Sequence, residues 1–319
     1  KKQKDFENLM HKLTKLYNTI ESTGDDYMVK TLTEMGAKAH KFSILNLCLA
    51  LTTGTSFLIY PVFTGMQGND IEIFLLKKFR VNLNNLTYLF ADLPYGVYVP
   101  GLNMSDRFNY KMLYLYECLV TPPGASLYIP FSNLFTSFVL FSIVMIKIMR
   151  HKLNLLMKAD EDEDHEIIEK RIKIAIKYHK ILMTFVDDIN SLVSNVCFME
   201  LIFFTMLLCA LLFVLNIVEL FPQICLSCLY IVLIMTQLFT LYWSSNELTV
   251  ESLKISEALY DCPWYNMSEK CKKLIIIFMI RSSRPMQITA ANIYPLTLQM
   301  FQSLLNVSYS YFTVLRRVY

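Results

Sequence analysis

MQITAANIYPLTLQMFQSLLNVSYSYFTVL, residues 286–315, lies between Arg284 and Arg316 and holds no charged side chain. At about 1.5 Å per residue it reaches past a hydrocarbon core of roughly 30 Å, so its length predicts a membrane-crossing helix. Asn292, Gln299, Asn306 and Thr313 recur every seventh residue with Ser303 and Ser310 between them. At that spacing the polar groups share one side of a helix, and Leu296, Leu298, Phe301, Leu304, Leu305, Phe312 and Leu315 take the rest. Polar groups are costly against lipid, so this side must face water or other helices. Periodicity alone leaves two readings open: a pore wall, or a buried helix whose amides bond across a bundle.

Composition points the same way. The residues are 54% hydrophobic and 13% aromatic with only eight glycines, mean hydropathy is +0.38, and this exceeds the apolar share of a soluble domain. The sequence predicts an all-α membrane protein. A formal net charge of +3, dispersed along the chain, argues against a nucleic-acid partner. Five of the eight cysteines, Cys48, Cys197, Cys209, Cys225 and Cys228, sit in apolar runs. There they are expected to be free thiols packed as small hydrophobes. The opening residues carry charges without an apolar core, unlike a signal peptide.

Residues 1–41 place Phe6, Leu9, Met10, Leu13, Leu16, Tyr17 and Ile20 at helical spacing among charges, the pattern of a cytoplasmic amphipathic segment. Residues 42–63 form the first uncharged span. Residues 64–124 carry scattered charges, the turn groups Leu93-Pro94-Tyr95-Gly96 and Val99-Pro100-Gly101, and the sequons Asn85-Leu86-Thr87 and Asn103-Met104-Ser105. An extracellular, glycosylated loop domain is expected there, ended by a break at Pro122-Pro123-Gly124. A second span covers 125–146.

Basic residues then crowd 147–195, from Lys147 and Arg150 through Lys177 and Lys180, interrupted by the acidic run 160–164. Such loops mark the cytoplasmic face. From Glu166 an amphipathic helix should run without a stop into the span 196–218. A short outer turn at 219–223 leads to the span 224–243, and the basic segment 244–285 is again cytoplasmic. The final span, 286–315, then leaves 316–319 outside. Five crossings place the start inside and the end outside.

No phosphate-binding glycine loop, HExxH or Gly-x-Ser-x-Gly occurs, and the five histidines lack ligand spacing. Cys225 and Cys228 form a CxxC inside an apolar span, without a second pair for zinc. No enzyme, cofactor or metal site is expected. His179, on the amphipathic helix, reads as a packed residue rather than a proton relay.

Ala258-Leu259-Tyr260-Asp261 with Trp264-Tyr265, Ile280-Arg281 to Pro285-Met286-Gln287-Ile288, and Ser308 to Leu315 stand in an order and spacing that resembles the insect odorant receptors. Tyr178-His179-Lys180-Ile181-Leu182, and Leu93-Pro94-Tyr95 with Tyr98-Val99-Pro100, resemble the family's fifth helix and second outer loop. The resemblance implies a seven-helix bundle of which helices three to seven are visible here, with the amino terminus cytoplasmic. It implies a multi-pass protein in the plasma membrane of olfactory dendrites, gated by odorant as part of a heterotetrameric cation channel.

Under that resemblance Gln299, Ser303, Asn306, Ser310 and Thr313 line the pore, and Val314 and Val318 form an apolar gate that closes by excluding water. The cytoplasmic anchor domain 244–285 would hold subunits together through Trp264 and Tyr265. Arg316 and Arg317 set the chain apart from the shared co-receptor, because four copies would crowd eight positive charges at a cation exit. An odorant-tuning subunit partnered by the co-receptor is therefore expected. Its ligand, a small volatile apolar odorant, would meet Ser56, Phe57, Tyr60, Phe131, Phe135, Phe138, Tyr230 and Ile234, an apolar aromatic set with two kinds of hydroxyl. Gustatory receptors share the architecture, but their Gln-Phe ending is absent after Tyr309 or Tyr311. A transporter remains the other alternative, without an inverted repeat or a charged midplane pair to support it.

Overall fold

The computed structural model describes residues 2–23, 25–65, 107–156, 165–217 and 221–318. Seven α-helices carry the described chain: α1 (Lys2–Thr23), α2 (Asp26–Gly65), α3 (Arg107–Leu156), α4 (His165–Ile217), α5 (Phe221–Tyr260), α6 (Glu269–Ser282) and α7 (Leu298–Val318). A 3-10 turn at Trp264–Asn266 precedes α6, and a two-stranded hairpin, β1 (Thr289–Ala290) with β2 (Tyr294–Pro295), precedes α7. The sequons and the acidic run lie outside the described residues.

The leading amphipathic segment is split. The Asp25 carboxylate accepts the Tyr27 N–H at 3.0 Å, capping a new helix start as Asp does. Helix α2 then runs without a break from that polar start into the apolar stretch. Pro122 and Pro123 do not interrupt the chain as expected, because α3 passes through them and through Pro130. Each proline removes one N–H from the ladder, a loss that apolar helices tolerate where neighbouring groups satisfy the freed carbonyls.

The described chain divides into two compact units, one of Lys1–Ser43, Ser132–Asn216 and Ile234–Tyr319, the other of Ile44–Phe131 and Ile217–Leu233. In the first, α3 buries Ile143, Ile146 and Ile148, α4 buries Leu182, Phe185 and Ile189, and α5 buries Tyr242, Leu248 and Ile255. The Phe141 and Phe185 rings meet edge to face at 5.9 Å. Helix α1 lays Leu9 and Ile20 inward, sets Phe6 against Phe138 at 6.2 Å and pairs Lys12 with Asp188.

In the second unit the Tyr114 hydroxyl donates to the Leu58 carbonyl at 2.8 Å, tying α3 to α2. Outward-facing apolar residues are numerous, among them Leu45, Leu51 and Ile59 on α2 and Leu115, Tyr116 and Leu119 on α3. Water would penalise such a surface, and lipid would not. Among the described residues four helices are long and apolar enough to cross a membrane: Asp26–Tyr60, Ile129–Asn154, Glu166–Asn216 and Phe221–Tyr260. Helix α7 falls below that hydropathy because of its polar row.

Candidate functional site

Helix α7 begins at Leu298, not at Met286. The intervening residues fold into the hairpin because Ala291 and Asn292 take left-handed backbone angles, φ 52° and 57°, which no helix can include. Pro295 sits on the second strand. Thr297 starts the helix: its Oγ1 accepts the Met300 N–H at 3.2 Å, a standard Ncap contact. Asn292 therefore lies outside the polar row expected of it. The 21 residues of α7 still give about 31 Å, one bilayer core.

One face of α7 is seated on the protein. Leu304 and Ser308 are buried at 3% and 2% exposure, and Phe301 packs on Phe239 at 6.1 Å and Tyr242 at 5.8 Å. Ser308 donates to the Thr205 carbonyl at 3.3 Å. The other face carries Gln299, Ser303, Asn306 and Ser310, all exposed, with Thr313 half-buried and Val314 exposed. Ser303 donates to the Gln299 carbonyl and Ser310 to the Asn306 carbonyl. These hydroxyls thus satisfy their own hydrogen while leaving oxygen lone pairs on the surface. An exposed, uncharged row of oxygens and amides can carry water and a hydrated cation without binding either tightly.

The expected ligand-contacting residues fall in both units. In the second, the Phe57 and Tyr230 rings meet edge to face at 5.7 Å, and Ser56 donates to the Thr52 carbonyl at 2.7 Å. Tyr60 is half-buried and Phe131 is exposed. In the first unit Phe135, Phe138 and Ile234 are buried at 5% exposure or less, and Phe138 has Phe6 of α1 as its ring partner. Sequence reasoning missed Glu117, a carboxylate-bearing residue buried at 4% exposure in the second unit, where Thr53 and Ser227 are buried as well. The apolar spacing of Met112, Leu115, Tyr116 and Leu119 was the available sign of a helix there.

In the segment 244–285, Ser268 caps α6 by accepting the Cys271 N–H at 3.5 Å. Cys262, Cys271, Ile172 and Ile275 form a small core against which Trp264 packs. Burial, with Asp261 adding to it, pushes the Cys262 thiol up to about 11. Tyr265 meets Trp264 at 6.4 Å but is itself exposed, as are Tyr260, Ile276, Ile277 and Ile280. His179 is buried against Phe278 at 5.2 Å. Burial, aided by the nearby Arg281 charge, brings its pKa down to about 4, so the ring is neutral at physiological pH. Among the described residues no group of three or more His, Cys, Asp or Glu could hold a metal ion.

The helices and the apolar surface define a multi-pass, all-α membrane bundle. Residues 1–309 match the family model described as 7tm Odorant receptor, and the chain belongs to that family. It is 36% identical over 319 residues to Odorant receptor 10 of Aedes albopictus, covering all of this chain and 79% of the relative. It is 34% identical to Odorant receptor Or2 of Anopheles gambiae, covering 99% of this chain and 78% of that one. The fold is similar to that of the insect olfactory receptor OR5 from Machilis hrabei in complex with eugenol. There the TM-score is 0.73 at 16% identity over 92% of this chain and 70% of the other. The chain is an odorant receptor and not an enzyme.

Proposed function

We propose that the chain is the odorant-tuning subunit of a heteromeric odorant-gated cation channel, partnered by the co-receptor, with α7 lining the pore and the amino terminus cytoplasmic. The observation that carries the reading is the exposed row Gln299, Ser303, Asn306 and Ser310 on a helix whose opposite face is seated on its own subunit. A helix otherwise bound for lipid has no use for such a row unless another surface or water meets it. Val314, exposed near the end of the row, supplies the apolar gate; the side chain of Val318, expected to share that role, lies outside the described residues. The Arg316 and Arg317 pair favours mixed over homomeric assembly, by charge repulsion.

Ligand contact in the second unit falls to Ser56, Phe57, Tyr60, Phe131 and Tyr230, with the Phe57–Tyr230 pair as its firmest element. The ligand class is a small apolar odorant able to stack on aromatic rings, in keeping with the eugenol named for the Machilis receptor. An odorant that binds the open arrangement better dilates the pore by mass action. Tyr260, Tyr265, Ile276, Ile277 and Ile280 give the anchor segment an apolar face suited to subunit contact. Voltage-clamp recording of this chain, alone and with the co-receptor, across an odorant panel tests the reading. Evoked current from the pair only is expected; no current from the pair removes it.

A further inference from the structure

The hairpin that delivers the chain into α7 is held by side chains of two other helices. Asn190 on α4 uses both ends of its amide. Its Oδ1 accepts the Thr289 N–H at 2.8 Å and the Thr289 hydroxyl at 3.1 Å, and its Nδ2 donates to Asn292 Oδ1 at 3.2 Å. One turn further along α4, Ser194 is 2% exposed. Its hydroxyl accepts the Asn292 N–H at 2.8 Å, and its carbonyl accepts the Ala291 N–H at 3.0 Å.

The two ends of the hairpin are tied to α5. The Met286 N–H reaches Ser252 Oγ at 3.0 Å and the Leu298 N–H reaches Asn246 Oδ1 at 3.4 Å. The contacts to α4 meet Ala291 and Asn292, the two residues with positive φ. That conformation costs a non-glycine residue free energy and persists only where its surroundings hold it.

We propose that Asn190 and Ser194 are positioning residues that clamp this turn to α4, so that a displacement of α4 is passed to α7 through the hairpin. The inference rests on reading α7 as the pore wall. The clamp is specific because every hydrogen-bonding group of the turn tip that it meets is paired by one helix turn of α4. A rigid element bonded to the base of a helix biases where that helix sits, and two arrangements of the pair then have different pore widths.

The test uses the heteromer with the co-receptor and two measurements. Hydrogen exchange of residues 286–297 is expected to quicken at least tenfold in Asn190→Ala/Ser194→Ala; unchanged exchange overturns the clamp. Basal cation current, normalised to surface receptor number, is recorded without odorant. It should depart from the parent value at least threefold in that variant and in Asn190→Asp/Asn292→Asp, where two carboxylates face each other.

Asn292→Asp alone keeps the Asn190 Nδ2 donor opposite an acceptor, Asn190→Asp alone does so once the Asn292 amide flips, and both should stay within twofold. A residue needed only for folding would lower surface number and leave the normalised current unchanged in all four, which overturns the coupling. If the parent heteromer carries no current, the channel reading fails, and the exchange measurement still decides whether the clamp exists.

Discussion

Arg150 Nη1 reaches Glu251 Oε2 at 3.1 Å, joining α3 to α5 through a carboxylate that is only 5% exposed. Lys254 takes the other oxygen at 2.8 Å. Removing Arg150 strips one oxygen of this buried carboxylate of its charged partner and leaves Lys254 as the remaining counter-charge, a change that costs more than the pair itself contributes. Arg150→Ala is expected to destabilise the receptor by about 2–4 kcal/mol, and Arg150→Met/Glu251→Leu by less. Thermal unfolding of the detergent-solubilised protein checks the order.

His179 makes stability depend on pH in a defined window. Its pKa is about 6.5 in the unfolded chain and about 4 in the folded one. Between these values the unfolded chain binds a proton that the folded chain excludes, so stability falls as pH drops from 6.5 toward 4. The total is roughly 3 kcal/mol, full stability being present above 6.5. His179→Phe should flatten the slope of the unfolding midpoint against pH in that range.

Phe57→Ala is expected to raise the half-activating odorant concentration by about tenfold, from the apolar area lost and the missing ring edge. Tyr230→Ala should do the same. Because the two rings touch, the double variant should lose less than the sum, with a coupling of about 0.5–1.5 kcal/mol. Concentration–response curves of the four receptors give the cycle, and strict additivity would remove the pair from a shared ligand contact.

Asn306→Asp places a carboxylate on the exposed row of α7. If that row faces the ion path, a fixed negative charge attracts divalent cations more than monovalent ones. The reversal potential under calcium/sodium bi-ionic conditions should move toward calcium preference. No movement, with normal evoked current, would place Asn306 away from the path.

The sequence carried some elements clearly and others not. The union of amphipathic helix and span in α4 was legible because its apolar spacing continues from Ile172 through Leu182 into Val196 without a breaker. The exposed row of α7 was legible from a seven-residue recurrence. The extent of α7 was not, since freedom from charge over 286–315 masked Pro285, Pro295 and the Ala291-Asn292 turn. Pro122 and Pro123 misled in the other direction: their local preference yields to continuing helix on both sides, a context that single residues do not announce. Pairings such as Asn190 with Asn292 or Phe6 with Phe138 join residues more than a hundred positions apart, and no periodicity reports them.

Helix α4 runs 53 residues without interruption, about 80 Å end to end against a hydrocarbon slab of roughly 30 Å. A rod of that length works as a lever. Pivoted where it leaves the slab, a tilt of about 2° carries a point some 40 Å away through nearly 1.5 Å, the rise of one helical residue. A change of a degree or two at the pivot is thereby an ångström-scale sideways displacement at the far end of the helix.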